Sequence, residues 1–391
     1  MTTLAPLSAS LLPSAVRARM VDNGNGLVMH VLEAGERRPG GRTLLLLHGF
    51  PELAYSWRKV MPALAAAGYH VIAPDQRGYG RTTGADMRYD TDLAPYRILN
   101  LVRDAMGLLA ALGLRSVDCV VGHDFGSPVA AACALARPDV FRALVMMSAP
   151  FAGIPAWPAP NADGDGERLS AMTGLADPGL DDRLAALDPP RKHYQWFYST
   201  RSADADMHAC PQGIHAFLRA YYHMKSADWA ANAPRPLGEW SAAALGELPT
   251  YYVMMKRDGM AETVAREMPS PETIAACGWL PDHELAVYAE EYGRTTFQGG
   301  LNWYRCVTGG LFGADLKTFM GRQITVPAAF VSGRQDWGNY QKPGDLEAMQ
   351  ATACADFRML RFVDRAGHWV QQEQPEAVTA ALLEFLSRTV A

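Results

Sequence analysis

The chain has 391 residues, 36 Lys and Arg against 41 Asp and Glu, a formal net charge of −5, and 49% hydrophobic residues. That mild acidity, without any Lys/Arg block, excludes a nucleic-acid-binding surface, and no apolar run approaches the length that spans a bilayer. The length suffices for a sizeable core plus an insertion.

Residues 1–19 fall in "MTTLAPLSASLLPSAVRARM", a mildly apolar segment interrupted by Pro6 and Pro13, with its arginines after the apolar part. It lacks the basic start of a signal peptide and reads as a tail, poorly ordered or draped over the surface. "AVRARMV" and "LVMHVLEA" flank the turn "DNGNG", a hairpin signal. "TLLLLHG", "HVIAPD", "VDCVVG" and "ALVMMS" are short apolar runs of the kind buried on both faces of a sheet, and helical stretches such as "ELAYSWRKVMPALAAAG" separate most of them. The alternation predicts an α/β doubly wound sheet.

After residue 150 the texture changes. Residues 151–190 are rich in Pro, Gly and Asp, and the stretches that follow are helical and aromatic, with no strand pattern until "VPAAFVSG" near 326. The interval reads as a helical insertion between two blocks of one sheet, which resumes with "VPAAFVSG" and "FRMLRFVDRAGHW" and closes with the helix "EAVTAALLEFLSR". Cys119, Cys133, Cys210, Cys277, Cys306 and Cys354 are scattered without a C-x-x-C pair, which fits reduced thiols in a cytoplasmic protein. His208, His215 and His223 lie seven and eight residues apart, the wrong spacing for helical metal ligands, so no metal is expected.

Four stretches carry chemistry. "VVGHDFGSP" has the strand–turn–helix form of a nucleophile elbow, with Asp124 at the apex between Gly122 and Gly126. An aspartate in a glycine-flanked loop is also a common turn former or helix cap. "LLLLHGFPE" sets His48-Gly49-Phe50-Pro51 at a strand end, where backbone N–H groups of Phe50 and of Phe125 in the elbow can face a developing oxyanion. "DRAGHW" places His368 after the last strand, the position of a general base. "SGRQDWGN" places Asp336 after the preceding strand, where an acid would orient that base; Asp364 is the rival.

These motifs, with "HYQWFYSTR" and "FQGGLNWYR", resemble the epoxide hydrolase branch of the α/β-hydrolase fold family, from about residue 20 to the end. The resemblance implies a mostly parallel, doubly wound sheet in two parts, 1–150 and 323–391, with a helical lid at 151–322. It implies Asp124 as nucleophile, His368 as base and Asp336 as its orienting acid. Tyr194 and Tyr304 become paired proton donors, and the Phe50 and Phe125 amides the oxyanion hole. His48, Pro51, Gln195, Trp337 and Trp369 are expected to line the pocket. The partners implied are a small-molecule epoxide and water, with no cofactor.

The chemistry accounts for the aspartate. An epoxide offers a strained sp³ carbon; a carboxylate displacing there leaves an ester that water can hydrolyse, whereas a serine would leave an inert ether. Ordinary phenols titrate near pH ~10, so a need for tyrosine protons predicts an alkaline loss of activity there. Two alternatives share the scaffold. Dehalogenases of this fold use the same Asp-His-Asp set but generally place tryptophan or arginine where this chain has Phe125, and a non-catalytic ligand receptor would carry a broken triad. A serine esterase is disfavoured because Ser127 lies in the helix entry. Arg191, Lys192 and Arg201 near Tyr194 read as a solvated lid surface, with recognition of a carboxylated substrate as the alternative.

Overall fold

The computed structural model describes residues 4–154 and 179–389. The strands in chain order are β1 Val16–Asp22, β2 Val28–Ala34, β3 Arg42–Leu47, β4 Tyr69–Pro74, β5 Cys119–His123, β6 Leu144–Met147, β7 Arg191–His193, β8 Val253–Met255, β9 Ala328–Gly333 and β10 Phe357–Val363. Eight of them form one sheet in the order β1-β2-β4-β3-β5-β6-β9-β10. β1–β2 and β2–β4 run antiparallel and every other pair is parallel. Every residue of β4, β5, β6 and β9 is buried, whereas the edge strands β1 and β10 mix buried with exposed positions. Apolar runs form the centre of such a sheet because helices cover both faces; the edges meet water and mix polarity.

β4 and β5 lie on opposite sides of β3, so the chain reverses its winding direction there. The crevice at the carboxyl ends of strands flanking such a switch is where open α/β sheets bind ligands. The turns after β3 and β5 both open into it.

Three local expectations change. Residues 4–15 form an anchored segment: Leu7 and Leu12 are buried, the Leu7 amide donates to His30 Nε2 at 3.2 Å, and Arg81 Nε donates to the Ala5 carbonyl at 2.9 Å. The stretch at 52–68 is a 3₁₀ turn, Ala54–Trp57, followed by the helix Met61–Ala66, because Pro62 is tolerated only in a first helical turn. The lid also contains strands, since β7 and β8 pair antiparallel from Arg191↔Met255 to His193↔Val253. Three-residue strands are too short to show a period, so the sequence conceals them. Most of the Pro/Gly/Asp-rich stretch 151–190 lies outside the described residues.

The lid sits on the crevice by close backbone approach. A Cβ on Gly299 would stand 2.0 Å from the Gly78 carbonyl oxygen, and one on Gly300 would stand 2.7 Å from the Phe50 ring. Trp303 Nε1 donates to the Arg77 carbonyl at 3.0 Å. The loop "DQRGYGRT" is therefore the seat for the helix Gln298–Thr308, which carries Tyr304. Its Arg77 braces that seat through buried bonds to Asp104 at 2.7 Å on each carboxylate oxygen. Gly299→Ala is expected to destabilise the protein. The helix-propensity gain of ~1 kcal/mol is outweighed by overpacking of about 1–3 kcal/mol, because the obstructing atom belongs to the backbone. A thermal melt alongside steady-state activity checks this; an unchanged melting temperature would mean that the seat yields.

Candidate active site

Asp124 crowns the turn between β5 and the helix Gly126–Ala136 with φ 50°, a left-handed conformation that L-residues hold only when their surroundings enforce it. The enforcement is steric. A Cβ at Gly122 would lie 2.1 Å from the Gly126 carbonyl oxygen, one at Gly126 would lie 2.3 Å from that of Leu47, and one at Gly49 would meet Asp124 itself at 2.4 Å. These glycines let the β3 and β5 turns close on each other. The Phe50 amide then donates to Asp124 Oδ1 at 2.8 Å. Phe125 occupies the cap position of the following helix, where amides lack intrahelical acceptors. Ser127 is turned away, donating to the Ala149 carbonyl at 2.6 Å.

His368 stands across from this carboxylate, with Nε2 3.2 Å from Asp124 Oδ2 and Nδ1 3.2 Å from both oxygens of Asp336. The Nε2 contact is an ion-pair distance without hydrogen-bond alignment, so the ring nitrogen is not committed to the carboxylate. Asp336 is fixed by the Gly338 amide at 2.7 Å and by Ser332 Oγ at 3.3 Å. The rival Asp364 is exposed and pairs with Arg334, which removes it from the site.

Tyr194 and Tyr304 line one cavity together with Asp124, Phe125 and Gln195. The β7–β8 pair delivers Tyr194: its amide donates to the Tyr252 carbonyl at 2.8 Å, and His193 caps the helix Tyr194–Tyr198. Tyr194 Oη donates to Gln341 Oε1 at 3.3 Å and accepts from Gln195 Nε2 at 2.9 Å. The ring of Tyr304 packs edge-on against Phe50 and Phe125, with centroids 5.4 and 4.9 Å apart. Burial, followed by the Asp124 charge, pushes both phenols well above their ordinary range. They stay protonated past pH ~10, and the alkaline loss expected there for ordinary phenols moves higher.

Of the five residues expected to line the pocket, only Gln195 does so. His48 is wholly buried beneath the floor, its ring held by the Gln76 amide at 3.1 Å and packed on Tyr79. Pro51 turns its carbonyl to the Tyr222 hydroxyl at 3.0 Å, Trp369 stacks on Tyr222 behind His368, and Trp337 is buried beside Asp336. Nearness in sequence to a candidate site residue does not tell on which side of the backbone a side chain lies. The lid cations are engaged elsewhere: Arg191 bonds the Val253 carbonyl, Arg201 pairs with Asp90, and Lys192 covers the Phe197 ring.

Residue-by-residue reading missed the support beneath the site. His123 bridges Glu52, 2.5 Å from its Nδ1, and the His368 carbonyl, 2.7 Å from its Nε2. Glu52 also accepts from the Gly49 amide and Gln371. Both residues stood inside quoted motifs, so the signal was present. Lys225 gave none. It is buried among Tyr252, Tyr221, Trp369 and Tyr251, with Nζ 4.9–5.7 Å from their ring centroids, and its carbonyl accepts from the His368 amide at 2.8 Å.

These charges set the protonation of His368. Burial opposes ionisation of Asp124, but His368 and then Lys225 more than offset it, and the carboxyl is held far below its ordinary value. For His368, burial and Lys225 work against the imidazolium, yet Asp336 and Asp124 outweigh them and raise its pKa.

The fold and this set of residues define an α/β hydrolase, and the family described as alpha/beta hydrolase fold matches residues 42–241. Epoxide hydrolase A of Mycobacterium tuberculosis is 34% identical over 383 residues, spanning 94% of this chain and 97% of that protein. Epoxide hydrolase B of the same organism is 31% identical, spanning 93% and 96%. The structure of an epoxide hydrolase from an endophytic Streptomyces superposes with a TM-score of 0.74 at 30% identity, covering 96% of each chain. The chain belongs to the epoxide hydrolases of this fold.

If Asp124 supplies part of the field that raises His368, neutralising that one carboxylate should lower the histidine. Asp124→Asn, an uncharged isostere, is expected to shift the His368 titration down by roughly one to three pH units, read from its imidazole NMR signals. An unshifted titration would mean that Asp336 alone sets the base.

Proposed function

We propose that the protein hydrolyses small-molecule epoxides to vicinal diols through an ester on Asp124. The observation that carries this reading is the carboxylate at the elbow, under two buried, protonated phenols and 3.2 Å from a histidine. Oδ1 is held by the Phe50 amide, so Oδ2 is the oxygen that attacks. It bonds to a ring carbon as the carbon–oxygen bond breaks, and the departing alkoxide takes a proton from Tyr194 or Tyr304.

Esterification removes the charge on Asp124. The imidazolium then loses one of its two supporting carboxylates, while burial and Lys225 continue to disfavour it. His368 becomes a neutral base when a base is needed. It takes a proton from water, which attacks the Asp124 carboxyl carbon; the tetrahedral oxyanion forms at Oδ1 on the Phe50 and Phe125 amides. Collapse releases the diol alkoxide, which takes the proton back from His368. Asp124, left as the acid, returns its proton to His368 and restores the carboxylate–imidazolium pair. The tyrosinate is reprotonated by the proton that the imidazolium gave up when the ester formed. The sum is epoxide plus water to diol.

The acid limb of ester hydrolysis follows the His368 pKa in the ester form, so the rate rises with pH through a midpoint below that of the free enzyme. Two phenolic donors serve an alkoxide and have no task for a departing halide, which sets the dehalogenase reading aside. The six free cysteines, five of them buried, accord with a cytoplasmic location.

Three measurements test the mechanism. A single turnover in heavy-oxygen water is expected to label the Asp124 carboxylate; label found solely in the diol would establish direct attack by water. His368→Gln is expected to consume about one equivalent of styrene oxide and stop as an ester visible in the intact mass, with turnover down on the order of 10²–10⁴-fold. A folded variant that never gains mass would place the histidine before the ester. Tyr194→Phe and Tyr304→Phe are each expected to slow formation of the ester, and the double variant to abolish it. Alkylation at the native rate in either single variant would remove that phenol from the chemistry.

A further inference from the structure

One buried carboxyl group beside the site takes no part in the chemistry above. Glu373 closes the short helix Val370–Glu373, which begins two residues after His368. Its side chain reaches back along its own turn to the start of that helix. Glu373 Oε1 accepts from the Trp369 amide at 3.0 Å, while the Glu373 amide donates to the Trp369 carbonyl at 2.9 Å. Oε2 accepts from the Gly367 amide at 2.9 Å and from the Ala227 amide of the lid at 2.8 Å. Amides at the start of a helix lack intrahelical acceptors, and here one side chain supplies them.

Gly367 and Trp369 flank His368. The amide between theirs, that of His368 itself, donates to the Lys225 carbonyl, and the His368 carbonyl accepts from His123 Nε2 at 2.7 Å and Ser148 Oγ at 3.2 Å. The three peptide groups whose nitrogens belong to Gly367, His368 and Trp369 are therefore all held. They set the direction in which the Cα–Cβ bond of His368 points. The backbone is also hemmed in, since a Cβ on Gly367 would stand 2.5 Å from the Lys225 carbonyl oxygen. The imidazole tolerates little drift. Its contacts to Asp124 and Asp336 are all 3.2 Å, at the long end of the hydrogen-bond range. Lys225, Asp336 and Asp124 are the groups that chiefly set its charge, which leaves geometry as the means by which Glu373 acts. Burial lifts the Glu373 pKa to about 8. Both oxygens of a carboxyl group accept hydrogen bonds in either protonation state, whereas a side-chain amide offers one.

We propose that Glu373 is a positioning residue for His368: its grip on the flanking peptide groups and on the lid at Ala227 holds the imidazole between Asp124 and Asp336, where ester hydrolysis requires it. This inference rests on the epoxide reading and assigns a residue to its second step. Ring opening uses the Asp124 carboxylate and a phenol, neither of which Glu373 touches. Hydrolysis uses the imidazole, so any drift of that ring falls on the second step. A misplacement of about 1 Å at a reacting group costs on the order of 10²-fold.

The test separates the two steps. Glu373→Gln keeps the volume but one acceptor oxygen, so at least one of the three amides meets an NH2 group. With styrene oxide, followed by rapid quench and intact mass, the ester is expected to form near the native rate. Its hydrolysis should slow by roughly 10–100-fold, so the ester accumulates and kcat and KM fall together. The deficit should persist on the alkaline plateau of the hydrolysis step, where His368 is neutral in both proteins. Glu373→Asp keeps both oxygens on a shorter stem and should lose less in the same step; it carries the test if the Gln variant does not fold. A loss of folded protein alone would lower the amplitude of both steps and leave both rate constants unchanged. Hydrolysis at the native rate, or equal slowing of the two steps, overturns the proposal. A second readout needs no substrate. In the free protein the His368 imidazole signals of Glu373→Gln should titrate roughly one pH unit lower, as the ring moves off its carboxylates. If the native protein forms no ester, the epoxide reading fails; the positioning role then stands on a shifted titration and falls on an unshifted one.

Discussion

Everything at this site depends on one strained backbone position. Asp124 holds φ 50° because the turns after β3 and β5 are in van der Waals contact, with Gly49, Gly122 and Gly126 at the points where a methyl group would collide. That contact aims the carboxylate out of the sheet, brings the Phe50 amide onto Oδ1 and leaves Oδ2 facing the cavity. The cost of such a conformation, about 1–3 kcal/mol, is offset by the packing of the strands on either side, β3 buried beyond Arg42 and β6 throughout, which cannot relax without disturbing the whole sheet.

The second determinant is charge. Asp124, Asp336 and Glu52 are buried within one neighbourhood that holds two histidines and Lys225. Three carboxylates so close would ordinarily drive one another to the acid form. The aromatic box around Lys225 keeps an ammonium in place without binding it to any one of them, so its field is shared among all three. An ion pair would commit the ammonium to a single carboxylate; a cation held by ring faces is tied to none of the three.

The sheet and the positions brought together at the candidate site were legible in the sequence because each has a local cause. Buried strands show as apolar runs, and Asp124, Asp336 and His368 each follow one at its carboxyl end. The β7–β8 pair was hidden because three residues cannot express a period. His48, Pro51, Trp337 and Trp369 were misplaced because closeness to a motif does not tell on which side of the backbone a side chain lies. Lys225 was invisible because a lone lysine in a helix reads as solvated until the aromatic residues that enclose it are assembled from three separate stretches. Tyr194 and Tyr304 sit in an aromatic lid where any single tyrosine is ordinarily packing, and only the likeness of their surroundings to a known family distinguished them.

The lid and the base share a fastening. The His368 amide is bonded to the carbonyl of Lys225 in the lid, and Trp369 Nε1 to that of Tyr222. The Glu373 carboxylate gathers the amides of Ala227, Gly367 and Trp369 in one grip. A lid joined in this way cannot swing aside without pulling on the backbone that carries His368. Five hydrogen bonds thus tie the lid and its neighbouring loop to the turn that carries His368. A change in the lid that disturbs this fastening therefore reaches the imidazole through the main chain, with no side chain of the cavity in between.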